Sequence, residues 1–171
     1  MQSPAGNLFE MAPTTSPAIQ ELTVEELGAW RGLLRVHSAL VKALDAELLA
    51  EHDLPLTSYE VLINLQAAPD RRRRMAELAD GVLLSRSGMT RLVDRLEREG
   101  LLERDACVSD GRGTFAVLTD KGEELLSRAR RTHLDGVRER FVRHFAPEEL
   151  EHLAGLWNRV LPGAADLSRS H

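Results

Sequence analysis

The side chains with the most to offer chemically are arginines and hydroxyls gathered in one short stretch. Met89, Leu92, Val93 and Leu96 recur at the i, i+3, i+4, i+7 spacing of a helix face that packs inward, which leaves Arg86, Ser87, Thr90, Arg91 and Arg95 on its other faces. That outward surface is polar and cationic, and its guanidinium and hydroxyl donors suit an anionic partner such as phosphate. Other chemistries are poorly served. No GxSxG, P-loop, GxGxxG or HExxH motif occurs and no Ser, His and acid cluster by spacing, so no catalytic residue is assigned. His133 and His144 stand eleven apart and His152 has no His or Cys at ligand spacing, so neither a metal nor another cofactor is expected. Cys107 is the sole cysteine, which excludes an internal disulfide and a CxxC zinc site. It lies among Arg104, Arg112 and three nearby acids, and a redox switch at Cys107 is a secondary reading.

The formal net charge of −5 opposes phosphate binding in sum. Its distribution argues otherwise: residues 71–113 hold ten arginines against eight acids, whereas the rest of the chain holds twelve basic residues against nineteen acids. The negative total favours a second alternative, a module that binds protein instead. Arg71 to Arg74 form either a solvated strand or an additional phosphate contact, the solvated strand being the usual fate of a charge run.

The elements that must position these groups are helical. The 171 residues are 43% hydrophobic and only 4% aromatic, with Leu and Ala dominant, a composition that builds helices around one core. No run reaches the roughly 18 apolar residues of a membrane span, and the N-terminus lacks a charged-then-apolar leader pattern, so a cytoplasmic protein without membrane contact is expected. Residues 1–21, with Pro4, Pro13 and Pro17, are expected to form a disordered tail.

Thr23-Val-Glu-Glu26 is a capping box that opens a long helix. Along it Leu27, Trp30, Leu34, His37, Val41, Leu44 and Leu48 keep alternating steps of three and four, an apolar seam for a partner helix, and Leu33, Leu40 and Ala43 widen it enough to imply a partner subunit. His37 is either a satisfied interface histidine or part of a ligand pocket with Trp30, Arg31 or Tyr59, and Arg31 and Arg35 suit a carboxylate. Thr57-Ser-Tyr-Glu60 reads as a second capping box for a helix to about Gln66. Met75 to Leu83, the turn Leu84-Ser85 and Arg86 to Glu99 then read as helix-turn-helix, ended by Gly100. Two short strands, Leu101 to Asp105 and Thr114 to Leu118, flank the tip Ser109-Asp-Gly-Arg-Gly113 and make a β-wing. Thr119 caps another long helix to about Phe145, and Pro147 takes the first position of a last helix bearing Leu150, Leu153, Trp157 and Val160.

This order, from about Leu22 to Leu161, resembles the MarR (multiple antibiotic resistance regulator) family. Ser85 to Leu102 looks like that family's recognition helix and its exit, and Asp110-Gly-Arg112-Gly, with Leu118-Thr119 and Gly122, looks like its wing. The resemblance implies a mainly α winged helix-turn-helix with a small β-wing, whose N- and C-terminal helices form a dimerisation region. Residues 22–53 and 119–162 would dimerise, 54–118 would bind DNA and 163–171 would be a flexible tail. It further implies a homodimer joined through Leu27, Leu34, Val41, Leu44, Leu153, Trp157 and Val160. Recognition helices would enter successive major grooves of double-stranded DNA, and Arg112, oriented by Asp110, would enter the minor groove. Arg86, Arg91 and Arg95 would meet phosphates or guanine edges, and Ser85, Ser87 and Thr90 would donate to phosphates. Members of the family are commonly repressors released by a small aromatic or phenolic ligand.

Overall fold

Both capping sequences at the starts of the long helices do what their residue types dictate. The computed structural model describes residues 21–81, 86–106 and 114–165, and the chain divides into two compact units, one ending at Arg35 and the other beginning at Val36. In the first unit Glu26 N donates to Thr23 Oγ1 (3.2 Å) and Thr23 N donates to Glu26 Oε2 (2.8 Å), a reciprocal capping box. It opens α1 (Val24–His52). Trp30, Leu33 and Leu34 of this unit are exposed.

The second unit carries the rest of α1, then α2 (Leu56–Gln66), β1 (Arg72–Arg74), α3 (Met75–Gly81), α4 (Arg86–Arg98), β2 (Leu102–Ala106), β3 (Thr114–Leu118), α5 (Asp120–Arg140) and α6 (Pro147–Val160). The three strands form an antiparallel sheet in the order β1-β3-β2, with Arg73 opposite Ala116 and Arg104 opposite Ala116 on the other side. Arg72 to Arg74 of the arginine run thus add a third strand to the two expected of the wing. Gly100, at φ +72°, follows α4 as anticipated. Thr119 caps α5 by accepting from Gly122 N at 3.1 Å.

The core of this unit joins the end of α1, α2, α3, α4, the sheet and α5 through Leu48, Leu62, Leu65, Leu78, Met89, Val93, Leu96, Leu102 and Leu126, all fully buried. Three expectations are corrected here. The α2 capping box does not form: the helix starts earlier, at Leu56, Pro55 holds the N-cap position, and the Leu56 N–H is taken by Asp45 Oδ1 of α1 at 2.8 Å. A carboxylate supplied from another helix thus takes the first N–H of α2. Leu44, grouped with a subunit seam, is 9% exposed and belongs to the protomer's own core, where it lies over Gly136 of α5. Tyr59, grouped with a ligand pocket, is also core: its ring lies 4.6 Å from that of His133 on α5.

Two packing details set measurable consequences. A Cβ at position 122 would sit 2.0 Å from the Leu101 carbonyl oxygen and 2.8 Å from Leu118 Cδ1, so only glycine lets α5 approach the wing base. Gly122→Ala is expected to lower stability by about 1–3 kcal/mol in urea unfolding, the usual cost of overpacking, and an unchanged midpoint would contradict the close approach. The second concerns His133, whose Nδ1 is buried without a hydrogen-bond partner. Burial holds its pKa below the ordinary 6.5, and Glu47 opposes only part of that shift. Because the unfolded chain takes up this proton more readily, the stability associated with neutral His133 is present above pH 6.5 and is lost as pH falls below it. Comparing melting at pH 7.5 and 5.5, wild type should lose more stability than His133→Gln; equal losses would contradict this assignment.

Candidate nucleic-acid interface

The candidate surface begins with α4, whose inward face is fixed by Met89, Val93 and Leu96, all buried to within 1%. The opposite side presents Ser87, Thr90, Arg91 and Arg98 as exposed residues. Arg91 Nε donates to the Ser87 carbonyl (3.4 Å) and Arg98 Nε to the Asp94 carbonyl (3.2 Å), bonds that lay both side chains back along the helix. Arg98 was not singled out from sequence, although its i+7 spacing from Arg91 places it on the same face. Arg86 opens α4, but its side chain, with Ser85 and the turn at 82–85, lies outside the described residues. So do Cys107, Asp110 and Arg112.

Arg95 departs from the expected outward placement. It is partly buried and donates through Nη2 to Ser58 Oγ of α2, a hydroxyl with no solvent exposure. Its Nε is buried and lies 3.7 Å from Glu99 Oε1. Arg95 borders the apolar stripe, and its methylene stem lets the guanidinium turn inward to a buried acceptor. It therefore ties α4 to α2.

The wing is laced to its surroundings by ion pairs. Arg104 of β2 reaches Asp94 Oδ1 and Glu97 Oε2 of α4, each at 2.5 Å. Arg72 pairs with Asp105 (3.1 Å) and stacks over the Phe115 ring at 4.2 Å, and Arg74 lies over the same ring. Arg71 meets Asp120 (3.1 Å) and Glu123 (2.5 Å) of α5. Arg71, Arg72 and Arg74 of the run are thus engaged within the fold, by ion pairs or by the Phe115 ring.

Of the proposed ligand residues, His37 and Tyr59 of the second unit face different surroundings. His37 lines an open cleft of about 730 Å³ with Val41, Lys42, Asp45 and Glu60, whereas Tyr59 faces the core. Burial raises the Glu60 carboxyl above its ordinary range, with His37 pulling it the other way. Trp30, Arg31 and Arg35 are exposed on the first unit. Of the expected interface residues, Leu34, Val41 and Val160 are exposed, while Leu27, Leu153 and Trp157 are half-buried. Among the described residues no group of three His, Cys, Asp or Glu could hold a metal ion, and no helix is long and apolar enough to cross a membrane.

The fold and its wing are shared with known proteins. Residues 52–113 match the family model described as MarR family. The structure of Sco3205, a MarR family transcriptional regulator from Streptomyces coelicolor in complex with DNA, superposes with a TM-score of 0.79 at 37% identity, over 84% of this chain and 91% of that one. The chain belongs to the MarR family. AbsC, another MarR family transcriptional regulator from Streptomyces coelicolor, gives a TM-score of 0.77 at 35% identity over 82% of this chain and 95% of its own. The transcriptional regulator PecS of Dickeya dadantii (strain 3937) is 29% identical over 147 residues, covering 82% of this chain and 84% of PecS. Winged-helix architecture and a role in transcriptional regulation follow from membership of the MarR family.

The Arg95–Ser58 contact gives this surface its own test. Ser58→Ala leaves a half-buried guanidinium without its acceptor and should cost about 1–2 kcal/mol in thermal unfolding; a loss within experimental error would show that Arg95 is free to turn outward.

Proposed function

We propose that this MarR-family chain is a homodimeric repressor that binds a pseudo-palindromic double-stranded DNA operator. The observation that carries the reading is the solvent-exposed polar face of α4, with Ser87, Thr90 and Arg91 exposed opposite a packed apolar face. A helix of that kind fits the major groove of B-DNA. The likeness to Sco3205, a MarR family transcriptional regulator whose structure is a complex with DNA, supports DNA binding by this chain. In this reading Ser85 and Arg86 continue the α4 surface, and Arg112, oriented by Asp110, enters the adjacent minor groove.

Dimerisation is assigned to residues 22–53 and 119–162, and DNA binding to 54–118. The support for self-association is the number of large apolar side chains left exposed on the helices, including Leu34, Val41, Leu134, Phe145 and Val160. A two-fold dimer reads half-sites about one helical turn apart, roughly 10 bp. Release by a small aromatic or phenolic ligand completes the proposal. The cleft beside His37, Lys42 and Glu60 is the described cavity that offers polar groups on an apolar floor for such a ligand.

Titrating wild type, Arg91→Ala and Arg112→Ala against operator DNA at several salt concentrations tests the interface. Wild-type log K should fall linearly with log salt, at about −0.9 per neutralised phosphate, and each variant should bind about 1–3 kcal/mol more weakly. Unaltered affinity in both variants together with a flat salt response would instead favour a protein-binding module.

A further inference from the structure

Apolar packing settles which face of α4 is buried but is non-directional, so by itself it leaves the helix some freedom to roll and slide against the sheet. A charged fork gripping two points on the helix removes that freedom. Arg104 provides such a grip. From β2 it donates through Nη2 to Asp94 Oδ1 and through Nη1 to Glu97 Oε2, both at 2.5 Å, and its own backbone N–H donates to Glu97 Oε1 at 3.2 Å. Asp94 and Glu97 are one turn apart on the same side of α4, so one guanidinium holds two successive points of the helix against the wing strand. The next residue, Asp105, passes the connection on to Arg72 of β1.

We infer that Arg104, held by Asp94 and Glu97, is a positioning residue that locks the recognition helix and the wing into one rigid reading unit, and that these two acids serve operator discrimination although they place negative charge beside a DNA surface. The inference rests on the DNA-binding reading above. It accounts for an otherwise unfavourable feature: two carboxylates on a helix meant to approach phosphates weaken nonspecific attraction. Arg104 is only 27% exposed along its side chain and both of its terminal nitrogens are engaged, which suits a brace better than a phosphate contact. The open cleft between helix and wing, lined by Thr90, Asp94, Arg104 and Thr114, is bridged by this grip. Without the grip, α4 and the wing strand β2 would not keep one fixed relation.

The test compares wild type, Arg104→Met and the double variant Asp94→Asn/Glu97→Gln on a selected operator duplex and on a random duplex, with melting temperatures recorded for all three. Both variants should melt close to wild type, because partly exposed pairs contribute little stability. Both should lose about tenfold in the ratio of operator to random affinity, the size of one mismatched base pair. The salt slope on random DNA should keep its wild-type value, since no phosphate contact is removed. The double variant is decisive because its loss of discrimination runs against the gain in affinity that removing two negative charges produces by itself. If Arg104 instead contacts phosphate, freeing it from the acids raises operator affinity and Arg104→Met flattens the salt slope by about 0.9, which would overturn the inference. An unchanged operator-to-random ratio in both variants would overturn it as well. A wild type with no operator preference would overturn the DNA-binding reading itself, an outcome distinct from variants that keep a preference wild type also shows.

Discussion

The burial of Met89, Val93 and Leu96 beneath α4 is the contact on which the remaining architecture turns. A helix that reads a groove must be held by one face only, because every side chain spent on holding it is lost to reading. Three fully buried apolar residues on a 13-residue helix supply most of that hold, at about 1.5–3 kcal/mol for each large side chain withdrawn from water. The outward face is then left to small hydroxyls and long cations. Packing of this kind fixes depth and leaves orientation open, so the polar contacts around it carry orientation: Arg95 to Ser58 on the α2 side and Arg104 to Asp94 and Glu97 on the wing side.

This division of labour also explains the charge pattern. A basic stretch inside an acidic chain would be wasteful if every arginine were meant for phosphate. Arg71, Arg72, Arg95 and Arg104 are instead engaged by Asp120, Asp105, Ser58 and the α4 acids, while Arg91 and Arg98 stay exposed. Guanidinium serves both ends because it stacks, forks and keeps its charge when partly buried. The Phe115 ring, flanked by Arg72 and Arg74, shows the stacking use.

What the sequence made legible was whatever is decided within about one turn of chain. The Thr23 and Thr119 caps, Gly100 after α4 and the apolar stripe of α4 are local and appear as read. What was not legible depends on a partner far along the chain. The α2 helix begins at Leu56, ahead of Thr57, and its first N–H goes to Asp45, eleven residues earlier. Leu44 continues the same three-four stripe as Leu34 and Val41, yet α5 covers it at Gly136; periodicity reveals that a face is apolar, not which helix will meet it. Arg95 stands at the edge of a stripe, where spacing cannot decide between water and a buried hydroxyl on another helix. Asp94 and Glu97 carried no local signal, since their value comes from a strand that enters only after the helix has ended.

The proposed function has α4 and the wing form one DNA-reading surface on a two-fold dimer, and selection of bound fragments from a random double-stranded DNA pool at physiological salt tests it most directly. The account predicts enrichment of an inverted repeat with half-sites about 10 bp apart. Recovery of no common sequence, or of a single half-site without its mate, would contradict it.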